Sequence, residues 1–97
     1  INVNITQQFN LFQNYPNPFN PSTSIKFSIP HSTNVVISIY SINGEYITTL
    51  LNEKKEAGHY SINFDVSKTE KHLASGVYFY RIIAGNFIEI KKMILLK

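Results

Sequence analysis

Tyr15-Pro-Asn-Pro-Phe-Asn-Pro21 runs straight into Thr23-Ser-Ile-Lys-Phe-Ser-Ile29, and this junction decides the class of fold. Each proline holds φ near −65° and removes a backbone donor, while Tyr15, Asn17 and Asn20 are driven toward extended conformations by the proline after them. The segment can be neither helix nor central strand. Beyond Pro21, Ile25, Phe27 and Ile29 alternate with Ser24, Lys26 and Ser28, the period of a strand with one face buried and one wet. A stiff, extended entry therefore opens a β domain.

The same period recurs downstream. Val35, Ile37 and Ile39 alternate after a Pro30–Asn34 loop, and Asn43-Gly44 is the pair that a tight hairpin prefers before a partner strand over Tyr46–Leu51. Asn52–Gly58 reads as a charged loop and Tyr60, Ile62 and Phe64 as the row of another strand. Asp65–Ser75 breaks the rhythm, with a capping residue, length for one helical turn, and Leu73 to pin the crossing to the core. Val77–Ile83 and Phe87–Leu96 form a hairpin about Ala84-Gly-Asn86, with Tyr78, Tyr80 and Ile82 on the buried side and Arg81 on the wet side. Strict alternation of the return arm groups Ile88, Ile90, Lys92, Ile94 and Leu96, so a bulge at Lys91–Lys92 is expected to keep Lys92 out of the core. Upstream, a strand is expected near Phe9–Tyr15. These readings predict an all-β, seven-stranded antiparallel β-sandwich of immunoglobulin-like layout over residues 9–97, with residues 1–8 as a linker from an upstream cargo.

Composition agrees with one small domain. Ninety-seven residues that are 43% hydrophobic and 13% aromatic leave little room for a second core, and 15% charge is too sparse for a disordered tail. Eight of the nine cations are lysines, and the lone Arg81 argues against a nucleic-acid reader. The absence of cysteine excludes disulfides and thiolate chemistry. No stretch is long and apolar enough to span a membrane as a helix.

Residues suited to chemistry are scattered. His31, His59 and His72 fall in separate loops or loop edges, Asp65 and Glu70 have no partner placed across a cleft, and no glycine cluster forms a phosphate loop. The chain reads as no enzyme, and no cofactor or metal is expected. Tyr40, Tyr46 and Tyr60 are candidates for a stacking platform in a carbohydrate-binding module, although Trp is missing.

Taken together, Tyr15-Pro-Asn-Pro-Phe-Asn-Pro-Ser-Thr-Ser-Ile-Lys26, Ile39-Tyr40 to Asn43-Gly-Glu45, Ala57-Gly-His-Tyr60, Leu73-Ala-Ser-Gly-Val-Tyr-Phe-Tyr-Arg81, Ala84-Gly-Asn-Phe87 and Lys91-Lys-Met-Ile-Leu-Leu-Lys97 resemble a known family. It is the type A, or Por secretion tail, C-terminal sorting domain of the type IX secretion system of Bacteroidetes and related bacteria. The motifs occur in the family's order over Leu11–Lys97; Ile42 stands where many relatives have Leu.

The resemblance implies a domain that folds in the periplasm and directs an N-terminal cargo to the cell surface or beyond. Its partners would be the outer-membrane translocon, shuttle proteins and a sortase-like surface protease that cuts in or before Ile1–Phe9; neither nucleic acid nor direct membrane insertion is implied. Carried over by position, the family motif residues are Pro16, Asn17, Pro18, Gly76 and Tyr78, and translocon recognition falls to Lys91, Lys92, Met93, Ile94, Leu95, Leu96 and Lys97. An apolar strand with flanking lysines suits docking by strand addition or insertion into a receptor. The alternatives are a fibronectin-like or carbohydrate-binding accessory module of a secreted enzyme, and a structural spacer akin to flagellar hook-cap immunoglobulin-like domains.

Overall fold

A computed structural model describes residues 8–97. Most of the stretch read as a linker, residues 1–7, lies outside the described residues. The strands are β1 (Asn10–Leu11), β2 (Ser22–Ile29), β3 (Thr33–Ser41), β4 (Tyr46–Lys55), β5 (Gly58–Asp65), β6 (Gly76–Ala84) and β7 (Phe87–Leu95). A three-stranded sheet in the order β1-β2-β5 faces a four-stranded sheet in the order β4-β3-β6-β7, with every named pairing antiparallel. This is the seven-stranded immunoglobulin-like sandwich expected from the alternation.

The core is the inner rows of the two sheets. Ile25, Phe27 and Ile29 from β2 and Phe64 from β5 meet Val35, Ile37 and Ile39 from β3, Tyr80, Ile82 and Ala84 from β6, and Met93 and Leu95 from β7. The Asp65–Ser75 crossing behaves as read. Asp65 Oδ1 accepts from the Ser67 backbone N–H at 2.9 Å and caps a single 3-10 turn over Val66–Lys68, and Leu73 is buried beyond it. These hydrogen bonds hold the Asp65 carboxyl below its ordinary pKa, led by the Ser67 hydroxyl.

Four expectations need correction. The strand near Phe9–Tyr15 is reduced to Asn10–Leu11 plus one bridge, Tyr15 with Ser24. The ladder stops because the Phe12 carbonyl and the Asn14 N–H turn inward to the Tyr80 hydroxyl. Ser28, placed on the wet face, is buried and its hydroxyl accepts from Asn10 Nδ2 at 3.1 Å. Asn52–Gly58 is not a loop: β4 continues to Lys55, paired with β3 through Thr33, and only Glu56 and Ala57 cross to β5 in the other sheet. An edge strand tolerates this charge because its outer side is wet, and Lys55 pairs with Glu53 at 2.9 Å.

The bulge at Lys91–Lys92 is absent. Pairing of β6 with β7 runs unbroken from Gly76 opposite Leu95 to Ala84 opposite Phe87. With Tyr80 and Ile82 inward, antiparallel register sends their partners Lys91 and Glu89 inward and Lys92 outward, so no bulge is needed to rescue Lys92. Glu89 and Lys91 neutralise each other at 3.4 Å, and both side chains stay partly wet. The isoleucines assigned to the core therefore face outward: Ile88 is 60% exposed and Ile90 57%. Bulges occur instead in β4, where the register against β3 shifts twice and skips Leu50 and Ile47. The hairpin between these strands closes over Ser41–Glu45, with Gly44 at φ +86° donating to the Ser41 carbonyl.

Candidate functional site: the seam between the proline segment and the last strand

The two ends of the signature lie in contact. The proline segment, whose peptide bonds before Pro16, Pro18 and Pro21 are cis, runs beside the outer edge of β7. Asn17 Oδ1 accepts from the Ile94 N–H at 2.9 Å, the Phe19 N–H donates to the Ile94 carbonyl at 2.9 Å, and the Leu96 N–H donates to the Phe19 carbonyl at 3.0 Å. Phe19 thereby makes a parallel bridge to Leu95. Proline supplies no donor at either side of Asn17, and the asparagine side-chain carbonyl provides the acceptor for the Ile94 N–H at the strand edge. Gln13 Nε2 extends the seam by donating to the Lys92 carbonyl at 2.7 Å.

Leu95 sits at the centre. Gly76 faces it across the β6–β7 ladder, Phe19 faces it from the other edge, and Tyr78 lies opposite Met93. The three motifs that the resemblance singled out, Pro16-Asn17-Pro18, Gly76 with Tyr78, and Lys91–Lys97, thus converge on one end of β7. Within the first motif it is Asn17 that bonds the strand, while the Pro16 carbonyl accepts from Thr23 Oγ1 at 2.8 Å and from Asn14 Nδ2 at 3.2 Å. Tyr78 donates its hydroxyl to the Ala74 carbonyl at 2.6 Å, and the Lys97 N–H donates to Ser75 Oγ at 2.8 Å, which ties the end of β7 to the approach of β6.

The recognition stretch divides by burial. Met93 and Leu95 are fully buried and Lys91 is engaged with Glu89. Lys92, Leu96 and Lys97 are exposed and Ile94 half-buried, so of the seven residues Lys91–Lys97 these four side chains are the ones that reach the surface without an ion-pair partner among the described residues. Strand addition along Ile94–Leu96 has no vacant edge while Asn17 and Phe19 occupy it, and that part of the docking expectation is corrected.

Tyr80 anchors the approach to the seam. Its hydroxyl donates to the Phe12 carbonyl at 2.7 Å and accepts from the Asn14 N–H at 2.8 Å. Burial pushes its pKa from 10.0 up to about 12, with Glu89 adding in the same direction and the Asn14 N–H opposing. Phe19, Gln13, Asn14 and Ser75 were not foreseen as parts of the site. The available signals were an apolar Phe19 set between Pro18 and Asn20, and polar side chains just ahead of donor-poor prolines.

Other candidates stay apart. Tyr40 and Tyr46 lie on the outer face of the four-stranded sheet with ring centroids 6.1 Å apart. Tyr60 belongs to the other sheet and stacks on Phe27 at 5.3 Å, so the three tyrosines share no platform. His31 packs edge-on against Phe9 at 5.5 Å, and His59 and His72 are exposed. Among the described residues no group of three or more His, Cys, Asp or Glu side chains could hold a metal ion, and no helix is long and apolar enough to cross a membrane.

The model of the secretion system C-terminal sorting domain matches residues 13–96, from Gln13 at the seam's start to Leu96 at its end. The chain belongs to that family. As a member it is a C-terminal sorting domain of a secretion system, a signal for export to the cell surface or extracellular space; sorting rather than a catalytic activity defines the family. Among solved structures the domain is similar to part of dimeric latent PorU from Porphyromonas gingivalis, with a TM-score of 0.71 and 22% identity, over 91% of this chain and 9% of that one. That likeness supports the sandwich fold, and the chain spans less than a tenth of the length of its structural relative. No curated protein matches it.

Proposed function

We propose that residues 9–97 are the export address of a type IX substrate, joined through residues 1–8 to an N-terminal cargo. In this reading the domain folds in the periplasm, shuttle proteins and the outer-membrane translocon engage it, and a sortase-like surface protease removes it by cutting in or before Ile1–Phe9. The observation that carries the reading is the convergence of all three family motifs on the Met93–Leu95 end of β7. Residues far apart in sequence meet there, and the exposed Lys92, Leu96 and Lys97 form a short basic and apolar strip with the half-buried Ile94 beside them. Lysines around an apolar strip give orientation and on-rate, while the apolar side chains give affinity.

The strip is held in shape by the seam. The address is thus composite: the proline segment sets the conformation in which the last strand is displayed. The test is to fuse residues 1–97 behind a periplasmic reporter in a type IX-competent bacterium. The expected result is reporter at the surface or in the medium without the domain attached; reporter retained in the periplasm, or exported with the domain uncut, overturns the corresponding step. Removing Ile94–Lys97 should block export, and normal export of that truncation would refute the assignment of the strip.

A further inference from the structure

The outer face of the four-stranded sheet carries a groove of about 370 Å³ lined by Tyr40, Gly44, Phe79, Arg81 and Ile90. Cross-strand register builds it: Phe79 of β6 lies opposite Tyr40 of β3, and Arg81 opposite Ile90 of β7. The Arg81 guanidinium rests over the Tyr40 ring, 4.9 Å from its centroid. Its Nε is buried and has no hydrogen-bond partner among the described residues. A buried donor left unpaired is costly, and a guanidinium is a fixed fork built for carboxylates.

The charges on this face point the same way. Lys92 lies opposite Phe79 and Lys54 opposite Asn34, in the outward rows, whereas the carboxylates of β4 and β7 are turned to the inner rows, Glu53 opposite Val35 and Glu89 opposite Ile82. Glu45 lies at the rim, in the turn beside Gly44. The outward rows of these strands thus combine cations with exposed apolar side chains and hold no carboxylate of their own among the described residues, which is complementary to an apolar surface bearing acid groups.

The geometry points to this groove as a docking site for a partner protein that presents an Asp or Glu carboxylate flanked by apolar side chains. The carboxylate accepts from the terminal N–H groups of the Arg81 guanidinium fork, whose Nε is buried behind them, and the flanking side chains cover Phe79 and Ile90. Of the residues invoked only Lys92 is shared with the strip beside the Leu95 seam; Tyr40, Phe79, Arg81 and Ile90, which line the groove, lie outside it.

The probe is a pentapeptide alternating valine and glutamate, capped at both ends, titrated into the isotope-labelled 97-residue domain, with its valine–lysine counterpart as control. Saturable shifts of the Arg81 Nε–H and of the Tyr40, Phe79 and Ile90 amides are expected with the acidic peptide only. Arg81→Gln should weaken binding about tenfold, the loss of a charge-assisted hydrogen bond. Ile90→Glu, at an exposed position where the thermal midpoint is expected to hold, should weaken it at least as much and so tests the site even if Arg81→Gln unfolds. Equal binding by the lysine peptide, shifts that map elsewhere, or no saturable shift with either peptide would overturn the inference. So would sedimentation showing this face buried against a second copy.

Discussion

The two halves of β7 share one strand, one alternation and one neighbour, yet differ in almost every physical respect. From Met93 to Leu95 the inner side chains are fully buried and the outer edge is bonded to Asn17 and Phe19. From Phe87 to Lys91 the inner row holds an ion pair, Glu89 with Lys91, and the outer row exposes Ile88 and Ile90. The difference is the proline segment, which lies along one half and not the other. An edge strand becomes a core strand where a donor-poor segment bonds along it and remains a surface strand where the cover is reduced to one ring, Phe9 stacked on Phe87. A recognition element built at such a boundary can have a rigid backbone and still display side chains.

Stability measurements should reproduce this asymmetry. Leu95→Ala removes a fully buried side chain from the centre of the seam and should lose about 2–5 kcal/mol in urea unfolding. A loss below about 1 kcal/mol, the size of a surface effect, would break the comparison. Tyr80→Phe leaves the Phe12 carbonyl and the Asn14 N–H without their shared partner and should cost about 1–3 kcal/mol.

The same tyrosine predicts an alkaline limb. Its pKa is raised on folding from 10.0 to about 12, so its neutral form stabilises the fold fully below pH 10 and that contribution is lost as pH rises toward 12. Thermal midpoints measured from about pH 9 to 12 should fall more steeply in the wild type than in Tyr80→Phe; parallel slopes would show that the hydroxyl is not held as described.

Asn17→Ala should cost about 1 kcal/mol and speed hydrogen exchange at the Ile94 amide while leaving the Ile90 amide unchanged. Equal acceleration at both amides would mean that the seam does not distinguish the two halves. The smallest effect belongs to Ile88→Thr, expected to stay within about 0.5 kcal/mol because the side chain is already 60% exposed. A cost matching that of Leu95→Ala would return Ile88 to the core.

Much of this fold was legible residue by residue. Ile25, Phe27 and Ile29, then Val35, Ile37 and Ile39, are buried as their alternation requires, because a strand offers only two faces and a polar residue on one names the other. The crossing with its Asp65 cap and Leu73 anchor followed from equally local chemistry. Strand β7 was misread because both of its rows contain apolar residues and lysine, so composition could not choose between them. The candidate site was half visible: its three motifs were each readable, and their meeting was not. Contacts such as Asn17 with Ile94 span 77 residues, and nothing local in either segment encodes the other.

Local chemistry was enough to dictate a single β-sandwich entered through a stiff proline segment, because side-chain period and proline geometry act over a few residues. Which row of β7 is buried was settled only on folding, since that depends on its register against β6. Folding also left the last strand without a free edge at Ile94–Leu96, because long-range hydrogen bonds from Asn17 and Phe19 satisfy it. Register and edge occupancy are properties of pairs of segments, and they exist only once the chain has closed on itself.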